Sequence, residues 1–239
     1  MNIFDSWLVK TPIAHRGLHN EDIPENSLPA FENAIKHKFA IELDVRSTQD
    51  GAIVVFHDDN LGRMTGTSGY ISKMNLDDIK KLRLLKTAEQ IPTLKEVLEL
   101  VAGRTPLLIE IKNMNKVGLE KEVYKVLAGY SGEYAIQSFN PYSLEWFKEH
   151  APQIKRGQLS GFLRGADVGF FKRIAIKKLW VNKVSEPNFI SYDIDNLPNR
   201  YVKKCKNLPL LAWCVRTEGQ KEKALKFADN IIFEAIDPE

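Results

Sequence analysis

Apolar and polar positions along the chain switch between two periods. Short apolar or β-branched runs at 13–14, 39–45, 52–56, 107–111, 134–137, 154–159, 179–184, 210–215 and 230–234 read as strands. Stretches of helical spacing lie between them. Asn26 or Ser27 caps the first, with Pro29 in its opening turn and Ala30, Phe31, Ala34 and Ile35 as its apolar stripe. Asn75 opens a short helix, and Thr93 caps another that runs to about Val101. Further helices are predicted over 119–127, 141–150, 167–176, 193–204 and 218–227, while 61–70, rich in Gly, Thr and Ser, reads as loop.

With the hairpin-like 52–56 run set aside, eight strands remain, each followed by a helix until the last. An alternation of this number and size predicts an α/β fold, a closed parallel (β/α)8 barrel (TIM barrel) in preference to an open doubly wound sheet. Residues 46–92 are too long for a simple connection and predict a small insertion after the second barrel strand. The whole span 1–239 is expected to form one domain.

The strand ends carry the candidate chemistry. The first run delivers His15 and Arg16, and the third stops at His57 and Asp58. Glu42 and Asp44 stand two residues apart in the second. Strand side chains alternate faces, so both carboxylates point the same way, roughly 6.5 Å apart, close enough to share a metal ion. Glu110 follows a continuous apolar run, with Lys112 on the same face. Carboxylates gathered without compensation repel, so a cation, a proton or a salt bridge to Arg16, Arg46 or Lys112 is required. All-oxygen ligands suit Mg²⁺ or Ca²⁺ better than zinc. In a barrel these residues fall at the functional carboxyl ends of the strands, where Ser138, Phe139 and Trp213 would join them.

Composition narrows the class. With 44% hydrophobic and 27% charged residues, the sequence is that of an ordinary globular protein. A net charge of +3 argues for neither nucleic acid nor membrane, and the pairs Lys177-Lys178 and Lys203-Lys204 read as solvated faces. Two cysteines, Cys205 and Cys214, make no disulfide framework. Neither a signal-like start nor an apolar run of spanning length is visible, so a cytoplasmic protein without stable membrane insertion is expected.

Taken in order, His15-Arg16-Gly17, Glu25-Asn26-Ser27, Glu42-Leu-Asp44-Val, His57-Asp58 and Glu110-Ile-Lys112 resemble the motifs of the glycerophosphodiester phosphodiesterases. Gln137-Ser138-Phe139-Asn140-Pro141 and the Trp213 strand extend the resemblance over essentially the whole chain. It implies a (β/α)8 barrel with a small insertion, a divalent metal at Glu42, Asp44 and Glu110, and His15 and His57 as catalytic base and acid. Arg16 and Lys112 would hold the phosphate, with Trp213 lining the site for a small-molecule glycerophosphodiester. The implied reaction releases glycerol 3-phosphate and an alcohol, by way of a cyclic phosphate if a neighbouring substrate hydroxyl attacks first. The chain departs from the usual pattern at Cys214-Val215-Arg216, where Thr-Val-Asn is common, and at Glu234, where the final strand commonly has Thr-Asp. Arg216 would place an extra positive charge at the rim.

Three other readings compete. A glycosidase leaves His15, Arg16 and His57 unexplained. A lysophospholipase D-like phosphodiesterase needs an apolar acyl groove in the insertion, for which Leu61, Met64 and Tyr70 are the candidates. A non-catalytic barrel binding phosphate esters needs neither both histidines nor all three acids.

Overall fold

The computed structural model describes residues 2–112, 118–163 and 168–238. In chain order the described elements are α1 (Trp7–Lys10), β1 (Ile13–Ala14), α2 (Leu28–Lys36), β2 (Ala40–Ser47), β3 (Ile53–Val55), α3 (Gly62–Thr65), α4 (Leu76–Ile79), α5 (Leu94–Val101), β4 (Leu107–Ile111) and α6 (Leu119–Leu127). They continue with β5 (Tyr134–Ser138), α7 (Pro141–His150), β6 (Lys155–Ser160), α8 (Phe170–Lys177), α9 (Asn182–Ser185), β7 (Phe189–Asp193), β8 (Leu210–Val215), α10 (Glu218–Phe227) and β9 (Asn230–Phe233). These fall into two compact units, residues 14–134 and residues 1–13 with 135–239.

In the unit 14–134, β2 is the central strand. It runs parallel to β4, with Asp44 opposite Glu110, and antiparallel to β3, with Val45 opposite Val55. Its first six residues are all buried, which is why the run is apolar apart from the two acids. Ser27 starts α2 by accepting a hydrogen bond from the Ala30 N–H, and Ala30, Phe31 and Ala34 bury the expected stripe. At α5, Thr93 and Glu96 complete a reciprocal capping box.

The segment 46–92 contains β3, α3 and α4. Its apolar side chains form a core of their own from Val54, Phe56, Leu61, Met64, Ile71, Ile79, Leu84 and Ile91. Burying such side chains contributes about 1.5–3 kcal/mol each. Residues 61–70, expected as loop, include the single turn of α3, because Leu61 and Met64 at helical spacing both face this core.

In the other unit, β5 to β9 lie side by side and parallel in sequence order. Asn230 at the start of β9 ties α1 down by donating from Nδ2 to the Leu8 and Thr11 carbonyls. Two expectations fail here. Residues 179–184 are not a strand: Leu179 takes a left-handed conformation (φ +57°), Asn182–Ser185 forms a helical turn, and the strand of this repeat is Phe189–Asp193. The apolar run 179–181 carried the stronger hydrophobic signal, but it is one edge of a turn that leaves Trp180 exposed, whereas Phe189, Ile190 and Tyr192 are buried. Residues 193–204 hold two 3-10 turns, Ile194–Asn196 and Val202–Lys204, because Asp193 and Asn199 bond the local N–H groups of Asp195 and of Tyr201 and Val202 in place of a continuing helix. Part of the helix expected at 167–176 begins outside the described residues; the described helix starts at Phe170.

Candidate active site

Strand alternation sends Ile41 and Leu43 to one side of β2 and Glu42 and Asp44 to the other, and the parallel register sets Glu110 beside Asp44. All three acids are buried, and each offers an oxygen within 4.8 Å of the others. The three-acid group expected from the sequence is therefore assembled.

Arg16 and Lys112 lie within this group. Lys112 Nζ is 2.7 Å from Glu110 Oε1 and 3.1 Å from Asp44 Oδ1. Arg16 Nε is 3.4 Å from Asp44 Oδ2, and its backbone N–H donates to Glu42 Oε2 at 3.0 Å. Delivering that N–H requires the tight turn after β1, where Arg16 (φ +56°) and Gly17 (φ +79°) are left-handed. At Gly17 a Cβ would lie 2.9 Å from Ala30 and Phe31, so glycine fits both the backbone and the space. Arg46, by contrast, turns outward to the His57 carbonyl and Asp59.

The charges do not balance pairwise. Burial, and then the proximity of Asp44 and Glu110, hold the Glu42 carboxyl well above its ordinary pKa. Burial also acts to raise Asp44, but Lys112, His57, Arg16 and His15 together overcome it and drive its pKa far down. Glu110 is raised by burial and by Asp44 against the pull of Lys112. Despite burial, Lys112 is held charged by Asp44 and Glu110. Two cations thus face three acids, and burial and the neighbouring acids oppose the charged form of Glu42 most strongly.

His57 is joined to the cluster through a chain of charged groups. Its Nδ1 is 2.6 Å from Asp58 Oδ1, Arg63 Nε donates to Asp58 Oδ2 at 2.6 Å, and Arg63 also bonds both oxygens of Glu25, which accepts in turn from Arg16 Nη1 at 2.8 Å. Burial opposes the charge on Asp58, yet the bonds from Arg63 and His57 bring its pKa down to about 2. Burial, with Lys112 and Arg16 adding to it, lowers His57 to about 4. A neutral imidazole beside an ionised carboxylate keeps its proton on Nδ1, leaving Nε2 with the lone pair. Asn26, buried and left-handed (φ +54°), donates from Nδ2 to Asp44 Oδ2 at 2.9 Å. Arg63 escaped the sequence reading because it sits in the stretch taken as loop. Asn26 and Glu25 were read as a turn and helix entry; the signal for more was their place in a motif ahead of the acids.

His15 is half-buried at the turn, and its charge acts on Asp44. Trp213 belongs to the other unit, where its Nε1 donates to the Ser191 carbonyl at 3.1 Å and its ring meets Phe139 edge-on at 5.6 Å. The departures near the carboxyl end form one group: Arg216 pairs with Glu234 at 3.1 Å, and Cys214 Sγ approaches the same carboxylate at 3.4 Å. Arg216 therefore does not bring the uncompensated charge expected from the sequence. Both cysteines are free thiols.

Oxygen donors on β strands, paired cations and a carboxylate-oriented histidine define a phosphoester-processing class of site. The chain belongs to the glycerophosphoryl diester phosphodiesterase family, an enzyme family whose sequence profile matches residues 15–235. A glycerophosphodiester phosphodiesterase of Caldanaerobacter subterraneus subsp. tengcongensis is 40% identical over 159 residues, a match covering 62% of this chain and 65%, just under two thirds, of that relative. YhdW of Bacillus subtilis is 32% identical over 209 residues, covering 77% of this chain and 86% of that one. Among solved structures, an Oleispira antarctica phosphodiesterase in complex with the product sn-glycerol-3-phosphate superimposes with a TM-score of 0.79 at 25% identity, covering 95% of this chain and 93% of the other. The fold is the (β/α)8 barrel expected from the element count. Among the described residues no helix is long and apolar enough to cross a membrane.

Proposed function

We propose that this chain hydrolyses glycerophosphodiesters to glycerol 3-phosphate and an alcohol within one barrel domain, with 46–92 as its insertion. The observation that carries the reading is the convergence of Glu42, Asp44 and Glu110 beside Arg16 and Lys112, in the same unit as both histidines. Asp44 Oδ1 is buried with the Lys112 ammonium as its ion-pair partner at 3.1 Å but no hydrogen bond, and a cluster of three buried carboxylates fits a hard divalent ion. Glu42, Asp44 and Glu110 would hold Mg²⁺ or Ca²⁺, which when bound supplies Lewis-acid polarisation of the phosphate.

The remaining roles fall to the chain's own groups. Arg16 and Lys112 turn from the acids to the phosphate oxygens and stabilise the charge that develops there. His57, neutral with Nε2 unprotonated, takes the proton of the attacking oxygen, and His15 donates one to the leaving alkoxide. The residue order did not fix which histidine takes which role; the lowered pKa of His57 favours the base. Trp213 lines the alcohol side of the substrate. For the lysophospholipid reading, Leu61 and Met64 lie in the core of the insertion, 0% and 4% exposed, and of its three groove candidates only Tyr70 faces solvent.

The test is glycerol 3-phosphate release from glycerophosphocholine and glycerophosphoethanolamine by chelator-stripped protein, with Mg²⁺, Ca²⁺ or Mn²⁺ restored separately. Restored release is expected, and its loss in Asp44→Ala. Release that survives stripping, or none with any metal, overturns the reading.

A further inference from the structure

We propose that the face formed by α8, Trp180 and the 200–206 segment docks on the surface of anionic phospholipid bilayers. It lies wholly within the unit containing 135–239 and is independent of the reaction at the acid cluster.

The first observation is apolar. Phe170 and Phe171 open α8 at 68% and 84% exposure, their rings edge to face at 5.6 Å, and Trp180 just beyond the helix is 58% exposed. Phenylalanine has no polar handle to reward exposure to water, and three bulky aromatics on one short stretch are the residues that sit at a headgroup boundary.

The second is charge. Residues 168–206 contain nine basic and three acidic residues, in a chain whose overall balance is only 34 to 31. The three acids are engaged elsewhere: Glu186 pairs with Lys148, Asp195 accepts from Gln220, and Asp193 bonds the N–H of Asp195. Among the described residues, Lys178, Arg200 and Lys204 have no carboxylate within ion-pair distance.

The third is shape. Lys178 Nζ lies over the Trp180 ring at 4.6 Å, and Arg200 over Tyr201 at 5.3 Å. Together with Lys204 these residues line a concavity of about 420 Å³. A phospholipid headgroup phosphate matches that recess in charge, while Phe170 and Phe171, at the far end of α8 and about 10 Å along its axis, match the acyl boundary. Lysine pairs that read as solvated faces in the sequence thus share a surface with exposed rings. Attraction of Lys178, Arg200 and Lys204 to an anionic leaflet, added to shallow aromatic burial, gives reversible docking without a spanning segment.

Sedimentation of the full chain with phosphatidylglycerol/phosphatidylcholine vesicles, against phosphatidylcholine alone, tests this at 0.1 M and 0.5 M salt. Binding to the anionic vesicles only, released by high salt, is expected. F170S/F171S and K178E/K204E should each lower the partition at least about tenfold without changing hydrolysis of a water-soluble substrate. Vesicles should also blue-shift the tryptophan emission of the wild type, and Trp180→Phe should remove that shift. This readout stands even if a double variant folds poorly. Equal binding to both vesicle types, no binding, retention on single-stranded DNA in place of vesicles, or a blue shift that survives Trp180→Phe overturns the proposal.

Discussion

Glu42→Gln isolates the charge imbalance at the acid cluster. Arg16 and Lys112 lie against three buried carboxylates, and burial with the nearby Asp44 and Glu110 strengthens the hold of the Glu42 carboxyl on its proton. The unfolded chain loses that proton near pH 4.5, whereas the folded chain keeps it to a higher pH. The Glu42 contribution to the stability of the metal-stripped protein is therefore fully present below pH 4.5 and is lost as pH rises, by about 1.4 kcal/mol per pH unit for one proton, until the raised value is passed. Asp44 adds no slope in this window, being ionised in both states, whereas raised Glu110 adds a decline and His57, lowered to about 4, adds a rise up to about pH 6.5. These are common to both chains, and glutamine is neutral throughout, so the variant should lack the Glu42 share alone and gain on the wild type as pH rises from 5 to 8. A divalent ion competes for the same proton. Wild-type metal affinity should rise about tenfold per pH unit across the window, and the variant should bind far more weakly. Urea unfolding with chelator from pH 5 to 8 reads the first effect. Calorimetric metal titration in two buffers of different ionisation enthalpy reads the released proton. Parallel stability curves for the two chains, or metal binding without proton release, would refute the charge assignment.

Other outcomes follow from the same geometry. With His57 lowered to about 4, the limb of the kcat/KM profile due to the base should fall off only below about pH 4, not near the ordinary histidine value; a limb near pH 6.5 assigned to His57 would contradict its burial. Asp58→Asn replaces the charged acceptor at His57 Nδ1 with a neutral amide that can also present an N–H there, and should lower kcat at least about tenfold with KM little changed. His15→Ala and His57→Ala should each lower turnover at least about 10²-fold in steady-state assays. Gly17→Ala places a Cβ against Ala30 and Phe31 in a left-handed turn and should destabilise by roughly 1–3 kcal/mol, read by urea unfolding. Ile79→Ala opens a cavity in the insertion core and should cost about 2–5 kcal/mol while leaving kcat within a few-fold.

Much of this protein was legible in its residue order because the signals were local. Period two in a buried strand forces Glu42 and Asp44 onto one face, and Ser27, Thr93 and Pro141 start their helices through bonds or ring constraints within a few positions. Sequence reasoning failed where local signals competed: residues 179–181 are more hydrophobic than the start of the true strand at Phe189, but a left-handed Leu179 turns them aside.

What only the tertiary structure decided concerns partners distant in sequence. The parallel register of β2 and β4 brings Glu110 to Asp44 across 66 positions, and Arg63 reaches Glu25 across 38. Hence Arg16 and Lys112 are ion-paired with the acids, Arg216 and Glu234 compensate each other, and Leu61 and Met64 are core rather than groove. Composition and periodicity state which face of a strand or helix a side chain occupies. Which opposite charge meets it there depends on register and on the desolvation of both groups, and these exist only once the chain has folded.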